Sequence, residues 1–247
     1  MSHRFVTNLG CCALLALVMA CGGGSGGFPD PGDGGGDDGG GDDGGGDSGD
    51  GSGGGPPPSP FFAPTEQQAL YFRNVMPDEL SLVQATHNDG GRTPFVDLPA
   101  GAIAYSGFME VLFTSTPNAN IASAATLTVD MGTGATTGSA NEFMGYVYNS
   151  ETDTTELALY AGGVSFLGAT LTSASNGNAN IDIEIDGAFD NGVQQFTITG
   201  NIDGPVYGPD ASGIYASGSY FGLGQDITLT ANGVPVYGSA TLWALSD

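Results

Sequence analysis

From Ala102 onward, apolar and polar residues alternate along the chain with a period of two. The clearest stretch is Asn180 to Asp186, where Ile181, Ile183 and Ile185 alternate with Asp182, Glu184 and Asp186. In a strand this puts every isoleucine on one face and every carboxylate on the other. The same alternation sets Leu127, Val129 and Met131 against Thr126, Thr128 and Asp130, Phe196 and Ile198 against Thr197 and Thr199, and Ile227 and Leu229 against Thr228 and Thr230. Segments near 102–113, 124–131, 135–149, 155–161, 163–173, 178–188, 193–202, 212–221, 225–232 and 234–245 predict eight to ten strands, parted by clusters of Gly, Asn, Asp and Ser. Connections this short join antiparallel neighbours. A meander of about eight strands removes its exposed edges by closing on itself, so residues 100–247 are expected to form an all-β, eight-stranded, antiparallel up-and-down barrel.

The residues before the barrel follow other patterns. Thr65-Glu66-Gln67-Gln68 has the spacing of a capping box and predicts a short helix through Ala69, Leu70 and Phe72 that Pro77 would end. Asp78 to Gln84 predicts another turn or two, so 61–99 reads as a short helical or irregular cap. Residues 22–60 hold twenty glycines and eight aspartates with almost nothing apolar to bury. Such a composition cannot offset its ordering entropy and predicts a disordered tether, about 35 Å in r.m.s. span. Its Gly-Gly-Gly-Asp-Asp repeat lacks the period of nine and the apolar anchor of calcium-binding β-helix repeats, which favours a solvated spacer.

At the start, Arg4 precedes an apolar run from Phe5 to Ala20 that is too short to span a bilayer comfortably. Leu17-Val18-Met19-Ala20-Cys21 closes it with small residues before a cysteine, the pattern of a bacterial lipoprotein signal over 1–20 with Cys21 as the acylated residue. Too little apolar chain precedes Cys11 and Cys12 for either to serve. Gly22 is not the aspartate associated with inner-membrane retention, so the expected address is the outer membrane, at the cell surface or, as the alternative, its periplasmic face. Removal of Cys11 and Cys12 and acylation of Cys21 would leave 61–247 without a thiol for disulfides, zinc or nucleophilic catalysis.

Charge narrows the partners. The chain has 27 acidic residues against three basic ones, and only Arg73 and Arg92 would remain beyond the signal. Nucleic-acid binding is excluded, because neutralising phosphates needs a basic surface. Nineteen of the acids fall in 61–247, so an acidic binding face stays open. Alternation alone does not say which face of the barrel points inward, since a transmembrane barrel has the same period. The expected anchor and tether would be redundant there and the aromatic residues do not mark strand ends, so a soluble barrel with an apolar core is favoured.

Candidates for chemistry are few. His87 lies in the polar stretch Thr86 to Gly91 and reads as a surface-loop residue before it reads as a general base or haem ligand. Asp182, Glu184 and Asp186 read as a solvated strand face, with a carboxylate pair for hydrolysis as the sharper alternative. Glu151, Asp153 and Glu156 read as an acidic hairpin tip, with weak calcium affinity as the alternative. Trp243, in the last strand, reads as core or rim. Glycine-rich segments here neither follow a strand into a helix nor carry lysine, so no phosphate cradle is expected.

Tyr105-Ser106-Gly107-Phe108, Ala125 to Met131 with its following glycine, and above all Ile198 to Ala211 with Tyr207-Gly208-Pro209-Asp210-Ala211, followed by Ser217 to Gly222, resemble the barrel domain of transferrin-binding protein B-like surface lipoproteins; factor H-binding lipoproteins carry a similar barrel. The resemblance covers roughly 100–247, one barrel where full members have two lobes. Ser212 to Ala216 depart from the usual acidic residue and double glycine after the turn. In the family Tyr207, Gly208, Pro209 and Ala211 would be a fold signature; read from the residues, they form a tight turn whose tyrosine packs under the barrel end. The resemblance implies a noncatalytic, monomeric binding protein without a cofactor, capturing a protein or an iron- or haem-related ligand through barrel-end loops and handing it to an outer-membrane receptor. The alternative is a structural or adhesive envelope lipoprotein with no small-molecule ligand.

Overall fold

The computed structural model describes residues 59–115, 119–221 and 225–247, the side chains of 88 and 89 excepted. The expected signal, Cys21 and nearly all of the Gly/Asp-rich segment lie outside the described residues.

Two helices come first, α1 (Glu66–Asn74) and α2 (Met76–Gly90). Thr65 caps α1 as its spacing predicted: its hydroxyl oxygen accepts from the Gln68 amide, and the Gln68 side chain accepts from the Thr65 amide. Pro77, expected to end this helix, instead begins the next one. It occupies the first turn of α2, where the N–H it lacks has no intrahelical partner to miss. Nor does α2 stop near Gln84. Met76, Leu80, Val83 and His87 recur at helical spacing and pack one stripe of the helix onto the outside of the barrel, which carries it through to Gly90. His87 is therefore a buried helical residue, and the reading of Thr86 to Gly91 as a surface loop is corrected. A single 3-10 turn, Phe95–Asp97, leads on to the strands.

The strands are β1 (Ala102–Phe113), β2 (Ala119–Asp130), β3 (Thr136–Asn149), β4 (Thr154–Ser173), β5 (Ala179–Asp190), β6 (Gln195–Tyr207), β7 (Gly213–Tyr220), β8 (Ile227–Ala231), β9 (Val234–Pro235) and β10 (Gly238–Ser246). Each of the first six pairs antiparallel with the next, β6 pairs with β7, β7 with β10 and β10 with β1, which closes an eight-stranded barrel. The extra two segments do not alter the count of walls. β8 continues the line of β7 along β6, for Val206 pairs with Ile214 and Thr199 with Thr228, and β9 continues the line of β10 by pairing with β8. The two segments expected over 155–161 and 163–173 are one strand, β4. At Ala161-Gly162, opposite Glu142, the ladder to β3 shifts register while pairing to β5 runs on, a bulge where a break between strands was expected.

Alternation places Ile181, Ile183 and Ile185 inside, essentially without exposure, and turns Glu184 and Asp186 to solvent. One end of the lumen, formed by the close of β1 and β5 and the start of β6, is filled by aromatic rings: Phe113 to Phe196 at 4.9 Å, Phe143 to Phe189 at 5.2 Å, and Phe189 and Tyr160 each 5.6 Å from Phe196. An apolar interior with carboxylates outside is the reverse of a transmembrane barrel, whose lumen is polar. Both ends are covered by the chain before β1. At the aromatic end Phe61 packs on the core, and Phe62 bonds Asn191 and Leu159 through its backbone, each at 2.8 Å. At the other end Thr93 bridges Val206 and Ala179, and Phe95 and Leu98 pack on the core beside it. Between these two points α1 and α2 cross the outer wall.

Candidate functional site

Side chains pack the lumen, and among the described residues two hollows on the outer surface stand out. The first, about 440 Å³, lies where β4, β5 and β6 meet the segment before β8 and is lined by Asp182, Asp203, Asp226, Asn180, Asn201, Gln225, Thr172 and Ile181. Strand register explains it. The hairpin that pairs Asp190 with Gln195 brings Asp182 opposite Asp203. Asp226 arrives from the segment entering β8, where its carbonyl accepts from the Asn201 amide at 2.8 Å. Asn201 Nδ2 donates to Asp182 Oδ1 at 2.6 Å, and the Asn180 Oδ1 is buried without a partner. The carboxyl of Asp203 is lifted above its ordinary range, by partial burial first and then by the charges of Asp226 and Asp182. The hollow thus offers carboxylates and amides toward a ligand rich in hydrogen-bond donors.

Of the three carboxylates expected together on one strand, only Asp182 belongs to this group, since Glu184 and Asp186 stand further along β5 opposite Asn201 and Thr199. Asp203 and Asp226 were missed. The signal that could have found Asp203 is the hairpin count, which fixes the residue opposite Asp182. The acidic tip between β3 and β4 is present, but its carboxylates do not converge: Asp153 accepts from Tyr148, while Glu156 accepts from Asn149 at 2.7 Å. Among the described residues no three His, Cys, Asp or Glu side chains are gathered as a metal site would need.

The second hollow, about 310 Å³, lies at the turn after β6 and is lined by Thr86, His87, Gly90, Tyr207, Gly208, Pro209, Ser212, Gly213 and Leu245. Gly208 takes a φ of 75°, open to glycine without strain, and its carbonyl accepts from Thr93 Oγ1 at 2.7 Å. Asp210 and Ala211 follow at φ 55° and 57°. Tyr207 does not pack under the barrel end as expected. It lies on the outer side of β6, its ring centroid 4.9 Å from that of His87; the tyrosine that enters the end is Tyr105, whose hydroxyl donates to Ala211 O. His87 Nε2 lies 3.1 Å from the carbonyl oxygen of Ala244, and Nδ1 is buried without a partner. His87 is thus packed between α2 and the barrel wall, 2% exposed, in the lining of this hollow. Trp243 packs not in the lumen or at the rim but against the second apolar cluster, formed by Met76, Val83 and Phe108. It faces outward beneath α2, 5.6 Å from His87 and 4.3 Å from Tyr215 between centroids.

No protein-family model matches the chain, and no curated protein matches it.

Proposed function

We propose that this chain is a noncatalytic binding module of the bacterial envelope, anchored through lipid on Cys21 and resembling transferrin-binding protein B-like lipoproteins, which takes a protein partner on the outer wall of its barrel. The observation that carries this reading is the filled lumen. With Phe113, Phe143, Tyr160, Phe189 and Phe196 packed across one end and the isoleucines of β5 and β6 inside the wall, the interior is taken up by buried apolar side chains, which favours recognition on the exterior. The hollow around Asp182, Asp203 and Asp226 is the surface best suited to it, because like charges held together there are relieved by a partner that brings donors or cationic side chains. The burial of His87 favours a protein partner over haem.

Titration of the full chain with iron-loaded transferrin and, separately, with haem tests this. Saturable binding to the protein probe, weakened at least tenfold by Asp182→Asn combined with Asp203→Asn, is expected. Saturable binding to haem alone would replace the protein reading with a haem-binding one. Binding to neither would leave the structural or adhesive envelope role in its place.

A further inference from the structure

We propose that α2 is an acid-released strap: a second proton on His87 undocks the helix from the barrel wall and uncovers the apolar face that it covers, formed by Phe108, Trp243 and Leu245.

The docked state admits only the neutral ring. A carbonyl oxygen can only accept, so the Nε2 facing Ala244 O carries the hydrogen, and the buried Nδ1 is left as a bare lone pair. A further proton would sit on Nδ1 with no acceptor, an uncompensated charge in a buried interface. Among the described side chains nothing around the ring offsets it. From β6 comes the ring of Tyr207, the one titratable side chain in contact among those described; from β10 come the Trp243 ring and the Ala244 carbonyl. From the start of β7 comes Gly213, so close that a Cβ added there would lie 2.8 Å from His87 Cε1. From α2 itself, Thr86 spends its hydroxyl on Leu82 O. Arg92 and Asp210, on the segments flanking Tyr207, are exposed, and the hollow beside the ring has no charged side chain in its lining.

Burial accordingly lowers the basicity of His87, and the Ala244 carbonyl opposes this only in part. With the folded value below the ordinary 6.5, the docking contribution is complete above pH 6.5 and is lost as pH falls through the folded value. The opening is local. α2 holds the wall through Met76, Leu80, Val83 and His87, whereas every ladder of the barrel closes without it, so the helix can leave while the barrel stays intact.

The chain carries its own reporters, since Trp243 is the single tryptophan and Arg73 and Arg92 bracket α2. The test follows Trp243 fluorescence, and trypsin cleavage after Arg73, just ahead of α2, normalised to an unstructured substrate at each pH, on the full chain from about pH 7.5 to about pH 5. Below pH 6.5 the opening constant is expected to rise by up to about tenfold per pH unit, the limit for one proton. In His87→Gln, which keeps a donor for Ala244 O but takes no proton, that rise is expected to disappear. The imidazole signal of His87 in the unsubstituted chain, identified by its loss in His87→Gln, is expected to titrate below 6.5. An equal pH slope in His87→Gln, or an imidazole titrating at or above 6.5, overturns the proposal whether or not the variant folds well.

Discussion

The hydroxyl of Tyr105, near the start of β1, donates to the carbonyl oxygen of Ala211 at 2.6 Å and ties the first strand to the turn before β7. Both residues are buried, and Ala211 holds a φ of 57°. Tyr105→Phe keeps the ring and leaves that carbonyl unpaired, so a loss of about 1–3 kcal/mol is expected. Urea unfolding should show a lower midpoint at unchanged slope.

The aromatic end of the lumen should behave as a close-packed interior. Phe196 touches Phe113, Tyr160 and Phe189 and has no exposure, so Phe196→Ala is expected to cost about 3–5 kcal/mol. Val96, 88% exposed in the segment before β1, supplies the contrast: Val96→Ala should stay within about 0.5 kcal/mol. Thermal unfolding of the two variants side by side checks the difference.

Asp203 predicts a stabilising substitution. Its folded-state value lies above the ordinary 3.8, so its contribution to stability is present below that pH and lost as pH rises through the folded value. At neutral pH the carboxylate is under repulsion from Asp226 and Asp182, and Asp203→Asn should raise the unfolding midpoint. The gain should shrink in high salt and vanish near pH 3, which denaturant titrations at two salt concentrations and two pH values would reveal.

Cys21→Ser should abolish anchoring. Metabolic labelling with palmitate is expected to mark the unsubstituted chain only, and the variant should move from the membrane fraction to the soluble one.

How much of this was legible in the sequence depends on whether a feature is local. The period of two in Ile181, Ile183 and Ile185 fixes a face within seven residues, and β1 spans the 102–113 that its pattern predicted. The cap of α1 is equally local. The length of α2 was hidden because the last residue of its apolar stripe is His87, a residue scored as polar whose burial comes from Trp243 and Gly213, far away in the chain. The acidic hollow was hidden for a similar reason. Asp182 was visible, but Asp203 and Asp226 join it only through strand register and the break between β7 and β8. Tyr105 took the place expected for Tyr207 because the parity of Tyr207 along β6 depends on that strand running through Gly204 and Pro205, where the pattern predicted a turn.

The two backbone bonds of Phe62, to Asn191 and Leu159, stand ahead of α1 and α2 in chain order. Tension arriving from the N-terminal side is therefore borne first by a β4–β5 rim joined to the whole barrel, and the helices downstream of that clamp lie off the line of force. Load and helix docking are uncoupled by this order: a pull from the N-terminal side does not peel α2, and loss of α2 does not let the barrel go.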